Sequence, residues 1–211
     1  MFHFFQSKTK LIIYLMTFMF SSYFILLPHS SSANNEIIEI KKVYQLLQEK
    51  KFIESIDKLK KLSLNNNIQA QLLYSKILFS GDLVPQDFEK SYLWATSAFL
   101  GGLKKSSAII EKLDNYLSEE QISPIKEKLK EFLEKRAFIN DKRAMIQIAK
   151  FYEKHLNPPD IVNAYTWYSI AVAKGIKSAK KRRNEVLKEL KEKDLLEAQK
   201  LSNKLFKQIK N

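Results

Sequence analysis

The chain has 211 residues, a formal net charge of +13 and no cysteine. That length allows one ordinary domain or a short repeat array. The absence of cysteine excludes disulfides, thiolate metal sites, a cysteine nucleophile and a cysteine-linked lipid anchor. His3 and His29 lie in the N-terminal segment, so the body keeps His155 alone. A single histidine nearly excludes imidazole metal sites and makes a Ser-His-Asp triad a poor expectation. No glycine-rich phosphate loop occurs, and the expectation is no catalytic residue, no cofactor and no metal.

Residues 1–33 read as a targeting segment. Lys8 and Lys10 precede an uncharged apolar run, Leu11 to Leu27, which Pro28 ends. Ser31-Ser32-Ala33 puts small residues at the −3 and −1 positions of a cleavage site after Ala33. The expectation is an exported chain, periplasmic or secreted, with a cleaved signal peptide. The competing expectation is an uncleaved membrane anchor, because the 17-residue run reaches the lower limit for a bilayer span.

Residues 34–211 form the expected domain, with a net charge of +11. Ile37, Ile40, Tyr44 and Leu47 share one helical face. After a polar break at Glu49-Lys50-Lys51, Phe52, Ile56 and Leu59 share another. This predicts a short antiparallel pair over 36–64, closed by the turn signal Asn65-Asn66-Asn67.

From there the sequence repeats itself. A shift of 73 residues lays Pro85 on Pro158, Asp87 on Asp160, Trp94 on Trp167, Ala98 on Ala171, and Gly102 on Gly175. Upstream of the loop the shift is 74, pairing Ala70 with Ala144 and Leu78 with Tyr152. Both tryptophans obey the register, and all four glycines, Gly81, Gly101, Gly102 and Gly175, fall in turns.

Each copy predicts four helices. The first runs over Ala70–Ser80, or Lys142–Lys154. A proline turn follows, and Asp87 or Asp160 is placed to cap the second helix. That helix runs to Leu100, or Lys174. A third spans Lys104–Leu117, or Lys177–Leu190. A fourth spans Ser123–Phe138, or Asp194–Ile209, with Ser123-Pro124 as N-cap and N1 and Asp194-x-x-Glu197 as a capping box. The domain thus divides into the pair at 36–64, copy one with its linker helices at 68–139, and copy two with its capping helices at 142–209. The fold class expected is all-α, a superhelical array (solenoid) of antiparallel helix pairs.

These residues resemble the Sel-one-like repeat, a relative of the tetratricopeptide repeat. Copy one supplies Ala70, Tyr74, Ser75, Leu78, Gly81, Val84-Pro85-Gln86-Asp87, Trp94, Ala98 and Gly102. Copy two supplies Ala144, Ala149, Tyr152, Pro159-Asp160, Trp167, Ala171 and Gly175. The pair at 36–64 resembles a degenerate tetratricopeptide hairpin. Ser75 and Ala149 stand where the family has a contact glycine, and the loop glycines shrink to Gly81 in copy one and vanish in copy two. The resemblance implies an exported scaffold that binds proteins or peptides on its concave face. It places partner-contacting residues on the first helix of each copy: Gln69, Leu72, Lys76 and Phe79, then Arg143, Ile146, Lys150 and Glu153. Lys76 and Lys150 recur and could together hold a carboxylate. The competing reading is ordinary exposed lysines, with Leu72, Phe79 and Ile146 packed.

Between Ile176 and Asn211 the net charge is +7, densest at Lys180-Lys181-Arg182-Arg183. This is either a solvated helix face or a surface for an acidic partner, an anionic envelope polymer or membrane lipid. Nucleic acid is not expected. Arg183 takes the position of apolar Ile110, which reads as the polar outer face of a terminal repeat or as part of a binding surface. His155 reads as a surface residue, and Trp94 and Trp167 read as core residues rather than sugar platforms. Glu119-Glu120 does not read as an acid–base pair, and an envelope hydrolase lacks its constellation.

Overall fold

The computed structural model describes residues 31–210, with side chains from residue 35 onward. The expected targeting segment lies almost wholly outside the described residues. Among the described residues, no helix is long and apolar enough to cross a membrane.

The chain folds into ten α-helices without a strand among the described residues: α1 (Ser31–Gln48), α2 (Phe52–Leu64), α3 (Ile68–Ser80), α4 (Phe88–Leu100), α5 (Ser107–Leu113), α6 (Glu119–Phe138), α7 (Lys142–Lys150), α8 (Ile161–Ala173), α9 (Ala179–Leu187) and α10 (Glu192–Gln208). Most successive helices pack on one another, α3 on α4 and α7 on α8 most extensively, and α6 and α10 pack back on α4 and α8. The result is an all-α repeat array of antiparallel pairs.

The apolar periodicity explains the packing. Val43, Ile56 and Leu59 join Ala70, Tyr74, Leu78 and Trp94 in one core cluster. Tyr92, Ile109, Leu113, Ile122 and Ile125 form a second cluster under the linker helices. The third unites copy two: Ala144, Ile148, Trp167, Tyr168 and Ala171 pack with Leu129 and Leu133 of α6. Small residues set the helix spacing. Ser75 and Ser91 exchange hydroxyl-to-carbonyl bonds of 2.8 Å in each direction. At the equivalent contact copy two has Ala149 and Ala164, both fully buried. One pair satisfies its polar groups mutually, and the other has none to satisfy.

Turn chemistry follows the repeat. Asp87 accepts from the Lys90 amide and Asp160 from the Asn163 amide. Upstream, Asn67 and Asp141 cap α3 and α7 in the same way, each preceded by an asparagine with positive φ, Asn66 and Asn140. Gly81 closes α3 in the left-handed conformation. Copy two has His155 at that position and closes through a π-helical turn, Phe151–His155. The same loop bond nevertheless forms in both copies, Asp87 N–H to Leu78 C=O at 3.0 Å and Asp160 N–H to Tyr152 C=O at 2.9 Å. Gly101 has another reason for being glycine: a Cβ there would run into the Ile68 side chain.

Three local expectations are corrected. Helix α6 starts at Glu119, not Ser123, because Ser118 and Gln121 form a full capping box. Pro124 therefore sits inside the helix. Helix α10 starts at Glu192 after Lys191, without a side-chain cap, so Asp194 does not cap it. The third helices are shorter than expected: Lys104–Ser106 is a 3-10 turn before α5, and α9 spans Ala179–Leu187 only.

A buried polar network joins the copies. Gln147, fully buried, donates to the Ser97 carbonyl at 2.8 Å and accepts from Asn66 Nδ2 at 2.7 Å. Asn66 also donates to Asp141 at 3.1 Å, which Arg136 Nε reaches at 3.0 Å. Sequence periodicity marks the turns that hold Asn66 and Asp141, but not the partners that meet there.

Candidate functional site: a basic groove along copy two

Helix α7 and the turn after it place Lys142, Ile146 and Lys150 four residues apart on one helical stripe. The stripe is met by the turn from α8 into α9, where Gly175 adopts positive φ and Ile176 and Lys177 follow. Two adjoining depressions result. The first, 570 Å³, is lined by Lys142, Arg143, Ile146, Ile176 and Lys177 with Gly101 and Gly175. The second, 320 Å³, is lined by Ile146, Lys150, Glu153, Lys154, Tyr168 and Arg182, among others. Ile146 borders both.

The expected contact positions of copy two thus come together, each in its own environment. Arg143 donates to the Asn66 carbonyl at 2.6 Å, so part of its role is structural. Lys150 is half-buried and donates to the Leu100 carbonyl at 3.0 Å. Burial pushes its ammonium below the usual lysine range, and Lys154 adds to that effect. Glu153, expected as a contact residue, is buried, its side chain only 3 % exposed. It accepts from Tyr168 Oη at 2.7 Å and from Arg182 Nε at 2.9 Å. Burial raises its carboxyl, but the bonds from Arg182 and Tyr168 outweigh this and hold it below the usual range.

Copy one differs at the matching positions. Gln69 is exposed, while Leu72 is buried and so offers no contact surface. Lys76 is half-buried and, like Lys150, lowered by burial, with Lys105 and Lys112 adding repulsion. Phe79 packs in an aromatic cluster with Phe88 and Tyr116, at ring separations of 5.6 and 6.0 Å. Where copy one has Phe79, Ala95 and Ile109, copy two has Glu153, Tyr168 and Arg182. Apolar packing has become an ion pair between a buried carboxylate and a partly exposed guanidinium facing a groove.

The basic run at 180–183 is not one patch. Arg182 is tied to Glu153 and to Glu185 at 2.6 Å. Arg183 is partly buried and bonds Asn184 Oδ1 at 2.9 Å, while Lys180 and Lys181 are exposed. Helical spacing separates these side chains. Trp94 and Trp167 are buried, as the repeat register requires. Among the described residues, no cluster of three or more His, Asp or Glu could hold a metal ion.

His155 is not the surface residue expected. The π-helical turn carries its ring against Phe151 at 5.6 Å and near Tyr92 at 6.4 Å. Its Nε2 is buried without a hydrogen-bond partner. Burial, with help from Lys126 against Glu119, pushes its pKa down from 6.5 to about 4. As pH falls through 6.5 the unfolded chain takes up a proton that the folded chain refuses until about 4. Stability should therefore fall across that window, by up to about 3 kcal/mol. Urea denaturation at pH 7 and pH 5 checks this: His155→Phe is expected to flatten the dependence, and an unchanged slope would refute it.

Comparison with protein-family models and with curated proteins finds no match for this chain.

Proposed function

We propose that the chain is an exported repeat scaffold of the Sel-one-like type, an adaptor rather than an enzyme, that binds a protein or peptide in the cell envelope through the groove of copy two. One observation carries the reading. Arg143, Ile146, Lys150 and Glu153, the residues expected on the concave helix, line two adjoining depressions. Stacked helix pairs bury a continuous core and leave such grooves as extended binding surfaces. The apolar run before Ala33 supports export. The competing reading, an anionic polymer or lipid held by the basic C-terminal helices, is weakened because Arg182 is already paired with Glu153 and Glu185.

A photo-crosslinking side chain placed at Ile146 in living cells tests this, with the exposed Lys128 of α6 as the control position. The expected result is one discrete protein adduct from Ile146 and none from Lys128, on a mature chain beginning at Asn34. Equal, diffuse crosslinking from both positions would refute the groove.

A further inference from the structure

The groove of copy two has a marked charge bias. Three basic residues and no acid line the first depression. Lys150, Lys154 and Arg182 line the second, with Glu153 as the acid. Glu153 is spent on Arg182 and also lies 3.4 Å from Lys154, so this cluster contributes less net charge to the cavity than its three cations suggest. The uncompensated cations are the lysines at the two ends of the stripe. Between them lies Ile146, with Ile176 beside it.

The spacing defines a ligand. Lys142 and Lys150 stand about 12 Å apart along α7, at about 1.5 Å per residue. Extended chain advances about 3.3 Å per residue, so about four residues cover that distance. Resting on the reading above, we infer that this groove takes an extended acidic peptide. One carboxylate sits near Lys142 and Lys177, an apolar side chain sits over Ile146, and a second carboxylate sits near Lys150. A polyphosphate would match the charge but leave the apolar floor unused. Half-buried Lys150 is the anchor, since a cation already stripped of part of its water gains most from a carboxylate. Copy one does not share the site: Ile68, Leu72 and Ser80 occupy the positions of Lys142, Ile146 and Lys154, so Lys76 is alone on its stripe.

The test presents a random dodecapeptide display library to the full chain as wild type, Lys177→Glu, Lys150→Glu/Lys177→Glu and Lys76→Glu. Circular dichroism checks each fold. Lys177 is exposed, so its single variant keeps the test valid if the double variant unfolds. Wild type and Lys76→Glu are expected to enrich peptides with Asp or Glu flanking an apolar residue, and both Lys177 variants are expected to lose that enrichment. An enriched synthetic peptide should bind about tenfold or more weakly once its carboxylates become amides. Enrichment of neutral or basic peptides, abolished by Ile146→Glu, overturns the acidic assignment and leaves the peptide groove standing. Binding of polyphosphate or anionic vesicles with no peptide enriched overturns both. No enrichment on any protein overturns the inference, and crosslinking at Ile146 then decides the broader reading by itself.

Discussion

Trp167→Ala is expected to cost about 3–5 kcal/mol of folding stability, the largest loss from any single truncation in copy two. Trp167 is 1 % exposed and meets Phe138 edge-on at 5.6 Å, inside the cluster that joins α6, α7 and α8. Trp94, at 7 % exposed, occupies the matching position against Phe132 at 5.4 Å. Its removal should fall at the lower end of the same range. Neither side chain can be deleted without a cavity, because the small residues beside them, Ala98 and Ala171, are fully buried and cannot fill it. Far-UV circular dichroism is the right probe, since the substitution removes half of the tryptophan signal. If both alanine variants kept the wild-type unfolding midpoint, the packing account would be wrong.

The second large effect concerns Arg182. Arg182→Leu should cost about 2–3 kcal/mol, somewhat under the range for a fully buried pair because the arginine is partly exposed. The loss arises from Glu153, left buried with Tyr168 at 2.7 Å and Lys154 at 3.4 Å as its remaining partners. Glu153→Met/Arg182→Leu should recover to within about 1 kcal/mol of wild type, because an apolar pair removes the desolvation cost along with the attraction. The cycle of singles and double measures the coupling. Its pH dependence has a definite sign. The folded-state pKa of Glu153 lies below 4.5, so the coupling is complete above that value and is lost as pH falls through the folded pKa. Simple additivity of the two single losses would show that the ion pair carries no coupling.

Local chemistry made much of the architecture legible in the sequence. Asp87 and Asp160 cap helices because a carboxylate next to the first turn meets unpaired amides only a few residues away. Gly81, Gly102 and Gly175 adopt positive φ where the register puts helix ends. The tryptophans recur because each copy has the same hole to fill. The same reasoning failed where two local signals competed. Ser123-Pro124 is a good helix start, but Ser118 with Gln121 satisfies two groups at once and begins the helix a turn earlier.

The sequence by itself therefore determined the all-α class, the pairing of helices and the turns, since these depend on residues within a few positions of each other. Tertiary structure alone decided the groove. Glu153 meets Arg182 across 29 residues, and Gln147 meets Asn66 across 81. Burial removed Leu72 from the contact surface, tied Glu153 to Arg182 at the groove wall and turned His155 inward. Desolvation and long-range partners set the state of those side chains, and neither is written in local periodicity.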